Sequence, residues 1–250
     1  MSRTSMVKKC LLTLALFGLV ALAHGKAQAD PISVCTGPGC STTNVSGTIV
    51  AGNGTVTITL NNNLTNAQVV SVIQNISGVY FQVSGYTLGA VSLTSSGSAQ
   101  STNIDGSGNA VLAGAISPTG WGAGHDGALI SVCVVCAGNF NVGPTAGPEQ
   151  TIIGGTGSGA YANANGSIAG NGPHNPFLVG TTTFTLVVPG VTENSRFSNV
   201  VIQFGTTATP PQLQETQTPE PASMLLLGSG LAGLAAGLRK KFQTNRDHPQ

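Results

Sequence analysis

Between residues 30 and 218 the apolar positions recur in short runs of period two, and no stretch shows the period of a helix. Thr55-Val56-Thr57-Ile58-Thr59-Leu60 alternates polar and apolar, as a strand with one buried face does, and Asn61 to Asn63 end it. Thr183 to Val188 sets Phe184, Leu186 and Val188 on one face. Val200 to Phe204 does the same with Val200, Ile202 and Phe204. Val69–Ile73, Val79–Val83, Ala110–Ile116 and Ala128–Val135 are apolar runs of strand length, punctuated by Gly78 and Gly85. Ser95 to Gly108 reads as a loop. Residues 137–180 hold eleven glycines and four prolines with few apolar runs, so the pattern predicts a flexible region there. Short strands with turn signals between them predict an all-β chain, with a single β-sandwich-like ectodomain over residues 30–209 and long glycine-rich loops. No repeat of solenoid length is present.

Both flanks of this region carry a different pattern. Arg3, Lys8 and Lys9 precede an apolar run from Cys10 to Ala23, and Ala27-Gln28-Ala29 supplies small residues at a cleavage site. This is the layout of a secretory signal peptide over residues 1–29, with a signal helix, cleavage between Ala29 and Asp30, and signal peptidase and the export machinery as partners. On the other side, residues 210–218 form a proline-bearing stalk of extended character. Then come Pro219-Glu220-Pro221, seventeen uncharged residues from Ala222 to Leu238, and Arg239-Lys240-Lys241. Seventeen residues are just long enough for a transmembrane helix. The basic cluster would keep residues 242–250 cytoplasmic and leave the ectodomain outside.

The run Pro219-Glu220-Pro221-Ala222-Ser223-Met224-Leu225-Leu226-Leu227, followed by a glycine- and alanine-rich span and a basic stop, closely resembles the PEP-CTERM sorting domain over roughly residues 218–241. The resemblance implies that Pro219, Glu220 and Pro221 are read by an exosortase, a membrane enzyme that cleaves nearby. It implies a precursor anchored in the inner membrane of a Gram-negative bacterium, then a place on the cell surface or in an exopolysaccharide or biofilm matrix. Gly228-Ser229-Gly230-Leu231-Ala232-Gly233 also matches the dinucleotide fingerprint, but that motif needs a strand before it and a βαβ unit around it. Gly233 and Gly237 are spaced for helix–helix contact in a membrane, a weak signal among so many small residues.

Charge sharpens the picture. Residues 30–218 contain one basic side chain, Arg196, against six acids, a net charge of −5 with no lysine. Nucleic-acid binding needs clustered Lys and Arg and is excluded. Lysine-dependent chemistry is excluded with it. Abundant Val, Ile and Thr with little charge argue for a folded domain rather than a disordered one.

Four cysteines follow the leader: Cys35, Cys40, Cys133 and Cys136. In an exported chain they read as disulfides. The two pairs could bind zinc by spacing, but more than ninety residues and an oxidising compartment separate that reading from the sequence, and no metal or other cofactor is expected. Thr36-Gly37-Pro38-Gly39 could turn to close Cys35 on Cys40. A Cys133–Cys136 bond needs a turn at Val134-Val135, a poor turn pair. Long-range pairing of residues 35–40 with 133–136 is therefore the preferred reading, with two local bonds as the alternative. Asp105-x-Ser107-x-Asn109 has half the spacing of a calcium loop, but Ala110 and Ile116 break the pattern, so an Asx-rich turn is the better reading. Trp121 sits in the loop Gly120-Trp121-Gly122-Ala123-Gly124-His125-Asp126 and offers either a sugar-stacking platform or a plug between sheets. His125 and His174 could enter a Ser-His-Asp arrangement, though no G-x-S-x-G elbow occurs. Asn-x-Ser/Thr sites fall at Asn44, Asn53, Asn63, Asn75 and Asn165 and mark exposed turns. The expectation is a non-enzymatic structural or matrix protein, the alternative a module binding the cell's own exopolysaccharide through Trp121, and a secreted hydrolase the weakest reading.

Overall fold

The computed structural model describes residues 29–96, 99–117, 120–136, 142 and 147–207. The expected signal helix, stalk, sorting signal and transmembrane helix lie outside the described residues, apart from Ala29. What is described is all-β. Five strands form one sheet in the order β1 (Ala29–Thr36), β2 (Thr43–Gly52), β3 (Thr55–Asn62), β13 (Thr182–Val187) and β5 (Ser92–Ser96). The other sheet contains β4 (Ile76–Val83), β6 (Ala99–Ile104), β7 (Asn109–Ile116), β8 (Gly122–Asp126), β9 (Leu129–Cys133), β10 (Ile152–Ile153), β11 (Gly159–Ala160), β12 (Phe177–Val179) and β14 (Phe197–Phe204). Pairing is antiparallel throughout except for β10 with β12.

The five-stranded sheet follows the period-two pattern read from the sequence. Val56, Ile58 and Leu60 of β3 are fully buried, and Phe184 and Leu186 of β13 pack beside them. In register, Ile58 lies opposite both Ile49 and Phe184. Asn53-Gly54 turns β2 into β3, with Gly54 in the left-handed region at φ 74°.

β4 behaves differently: seven of its eight residues are buried. Val79, Phe81 and Val83 face the main core between the sheets. Tyr80 points the other way and donates its hydroxyl to Gln203 Oε1 at 2.6 Å. Gly78 sits between Cys133 and Gln203, where a Cβ would come within 3.1 Å of the Cys133 Cβ. Along its edges β4 pairs with β14, with β9 and, at Ile76, with Ile152 of β10.

A second core holds Leu64, Val69, Ile104, Tyr161, Ile168 and Phe177 among its members. Here the structure corrects the sequence. The described part of 137–180, expected to be flexible, supplies β10, β11, β12 and three of those residues. Its apolar side chains come from strands of two or three residues and from single turn positions, so no period announces them. Ser95–Gly108, expected as a loop, contains the end of β5 and all of β6. Its buried Thr102 donates to Gly157 O at 2.7 Å, which lets a polar residue face the core. Val69–Ile73, expected as a strand, runs into the 3₁₀ turn Val72–Gln74. Gln74 Oε1 accepts the Val70 and Ser71 amides at 2.6 and 3.1 Å, and this capping outweighs β propensity.

Both disulfides are local, against the long-range staple preferred above. Cys35 bonds Cys40 and Cys133 bonds Cys136, with Cα separations of 4.8 and 5.2 Å. The argument from Val134-Val135 fails because β9 ends at Cys133 and the chain bends there, while Val134 is fully buried and still donates its amide to Ser77 O. Burial of Val134, with Val135 half-buried against the same core, holds the pair in a bend that their own preference would not choose.

Closing such short loops removes little entropy from the unfolded chain, about 2 kcal/mol each in the chain-entropy model. Opening either bond by a Cys→Ala pair should therefore cost about 2 kcal/mol, measured by denaturant unfolding, not the roughly 4–5 kcal/mol of a hundred-residue loop. Non-reducing peptide mapping with pepsin should return two separately looped peptides; trypsin will not serve, since Arg196 is the only basic residue between 30 and 218.

Candidate functional site

The expected sugar platform is absent at Trp121. Its side chain is 3 % exposed and stacks at 4.5 Å, tilted by 37°, on Phe184 of the opposite sheet. Nε1 donates to Gln150 O at 2.9 Å. The residue is therefore a plug between the sheets and offers no ring face to a ligand.

The neighbouring histidine points elsewhere. His125, on β8, meets Tyr86 edge to face with ring centroids 5.7 Å apart. Its Nδ1 lies 3.3 Å from Gly127 O. His174, in the turn Gly172–His174, has Nδ1 2.6 Å from Ser167 O. A carbonyl oxygen only accepts, so the proton sits on Nδ1 in both rings. In a Ser-His-Asp triad that proton goes to a carboxylate; here both go to backbone. Burial raises the Tyr86 hydroxyl above its ordinary pKa, partly offset by the Gly89 backbone. Tyr161 is raised by the same cause, partly offset by the Gly157 amide it accepts.

Asp105 forms the Asx turn expected of it. Its Oδ1 accepts the Ser107 and Asn109 amides at 2.8 and 2.9 Å, and its Oδ2 accepts Asn109 Nδ2 at 3.3 Å. The Asn109 amide, with these other donors, lowers the carboxyl below its ordinary pKa. Of the five Asn-x-Ser/Thr sites, Asn53 and Asn165 are exposed. Asn75 is fully buried and donates to Thr151 Oγ1 at 3.1 Å, so it marks no exposed turn. Ala29 and Asp30, the residues flanking the expected cleavage, open β1 opposite Val50 and Ile49.

One cavity, of about 310 Å³, is lined by Val134, Val135, Cys136, Pro148, His174 and Thr206 among others. No sequence signal pointed to it, because its walls come from four separate segments. Among the described residues no group of three His, Cys, Asp or Glu side chains is placed to hold a metal, and no helix is long and apolar enough to cross a membrane.

The ectodomain thus presents no convergent set of reactive groups among its described residues, and the informative site is the tail. Residues 217–241 match the family described as the PEP-CTERM protein-sorting motif. The chain carries a PEP-CTERM sorting signal. The motif covers Pro219, Glu220 and Pro221, the apolar span and the basic stop. It implies an exported, membrane-anchored precursor processed by an exosortase for the cell surface. No curated protein and no solved structure matches the chain.

Two outcomes are expected. Trp121→Ala should destabilise the ectodomain by about 3–5 kcal/mol, the usual cost of emptying a large core site, read by denaturant unfolding; a loss below about 1 kcal/mol would be incompatible with a plug between sheets. For Asp105, hydrogen bonds to the charged form depress the pKa. Its contribution to stability is therefore full above the ordinary aspartate value of about 3.9 and lost as pH falls through the lower, folded value. In an NMR titration the Ser107 and Asn109 amide shifts should move together below about pH 4, and Asp105→Asn should abolish that step.

Proposed function

We propose that this PEP-CTERM protein is a non-catalytic structural component of the cell surface or extracellular matrix of an exopolysaccharide-producing Gram-negative bacterium. The observation that carries the reading is the sorting motif at 217–241, in the same chain as an export leader and two disulfides. Leader and tail agree in orientation: the leader sends the ectodomain outward and Arg239-Lys240-Lys241 hold the tail inward. Residues 222–238 anchor the precursor in the inner membrane until the exosortase, recognising Pro219-Glu220-Pro221, cleaves.

The dispersal of the ectodomain's titratable groups supports a structural rather than a catalytic role. Asp105 is committed to a turn, both histidines to backbone carbonyls, and Glu193 accepts from Asn53 Nδ2 at 3.2 Å at the tip of the β2–β3 hairpin.

Fractionation tests the sorting step. In a host with the exosortase, the wild-type chain should leave the membrane fraction; without the enzyme it should stay there as a longer precursor. Glu220→Ala should behave like loss of the enzyme. Equal release of Glu220→Ala and wild type would refute the reading. Ester or glycan hydrolysis by the purified protein, abolished by His125→Ala, would overturn its non-catalytic part.

A further inference from the structure

The two ends of the Cys133–Cys136 bond differ. Cys133 closes β9 and is fully buried. Cys136 is half-buried and lines the cavity of about 310 Å³, a volume at the small end of ligand pockets. His174 lines the same cavity, with Val134, Val135, Pro148 and Thr206 among its other walls. No acid is among the described lining residues, so a thiolate entering it meets no like charge there. The Cys35–Cys40 bond is more open, with Cys35 exposed, but neither of its cysteines lines this cavity.

The histidine is set up as a base. Its Nδ1 proton is committed to Ser167 O at 2.6 Å. Nε2 is then the ring's acceptor, and it makes no hydrogen bond among the described residues. A disulfide is opened by a thiolate, so a base beside it serves an incoming thiol. The four cysteines after the leader are all paired, and the attacking thiol must come from another molecule.

We propose that this cavity is a reversible modification site, in which a low-molecular-weight thiol forms a mixed disulfide with Cys136. The thiol gives its proton to His174 Nε2, and its sulfur attacks Cys136 Sγ. The Cys133–Cys136 bond breaks and its electron pair leaves on the Cys133 sulfur. That sulfur takes up the proton from His174 and ends as a thiol, so no charge stays in the core. One thiol and one disulfide become one mixed disulfide and one thiol, and no outside oxidant or reductant is needed. Attack falls on Cys136 because Cys133 is closed to solvent. The bend keeps its Val134 amide bonded to Ser77 O, so the Cys133 thiol stays beside the adduct and can expel it. The reaction is stoichiometric, and it rests on neither the sorting step nor the structural role.

The test uses the full chain, exported with its own leader and purified from the membrane of a host without the exosortase. It is exposed to free cysteine at neutral pH, quenched in acid and mapped with pepsin by mass spectrometry. Cysteine should appear on Cys136 first, ahead of the more exposed Cys35–Cys40 pair. His174→Gln should slow the Cys136 adduct by more than about tenfold, since a general base contributes on the order of 10²–10⁴, and leave the Cys35–Cys40 rate unchanged. Thr206→Phe, which narrows the cavity without altering the cysteine or the histidine, should slow it too. That variant decides the matter if His174→Gln disturbs the fold, read by the emission of the single tryptophan, Trp121. Cysteine on Cys35 or Cys40 first, or on Cys133, would overturn the proposal. So would a Cys136 adduct that forms at the wild-type rate in a correctly folded His174→Gln or Thr206→Phe chain.

Discussion

Tyr80 donating its hydroxyl to Gln203 on one face of β4, with Val79, Phe81 and Val83 packed on the other, is the arrangement on which the ectodomain turns. An antiparallel strand commonly has one dry face and one wet face. β4 has neither a wet face nor a free edge over most of its length. β14 lies along one edge, and β9, followed by β10, along the other. Phe81 and Phe197 meet edge to face at 5.8 Å across the β14 boundary. Because Gly78 lacks a side chain, Cys133 and Gln203 close over the strand from either side. The Cys133–Cys136 bend follows directly, at the point where β9 leaves β4.

A chain with 5 % aromatic and 7 % charged residues has few large groups with which to fix its loops. Amide side chains take that part. Asn62 Nδ2 donates to Gln74 O and Ile152 O, at 2.9 and 3.2 Å, and so ties β3 to the turn before β4 and to β10. Asn66 Oδ1 accepts the Thr156 amide at 2.9 Å while its Nδ2 donates to Ser158 O at 2.8 Å. Asn175 pairs with both backbone groups of Ile104, at 2.9 and 3.2 Å. Each of these amides presents donor and acceptor as a backbone group does, so it extends the sheets' hydrogen bonding into segments without strands. Asn62 is buried, and a buried amide is costly to leave without its partners.

The function of the chain is divided along its length. His125 and His174 bond backbone carbonyls and Asp105 closes a turn, whereas the tail carries a motif with a stated role, protein sorting. That motif is an address, read by a processing enzyme.

The sequence by itself determined what depends on local pattern. The strands of the five-stranded sheet around Thr55–Leu60 and Thr183–Val188 alternate because one of their faces is wet. The Asx turn at Asp105 is closed by neighbours within four residues. The sorting signal is a contiguous word read by another protein, and needs no fold to be legible. Only the tertiary structure decided the rest. Trp121 could face solvent or core, and Phe184, sixty-three residues away, settled it. The cysteine pairing turned on a bend at Val134-Val135 that burial imposes against β propensity. The second core draws its apolar residues from strands and turns spread between Leu64 and Val179, so no window of sequence contains the contacts that order it. Where the stabilising partner is adjacent the pattern shows it; where it is a hundred residues away, only the packed structure does.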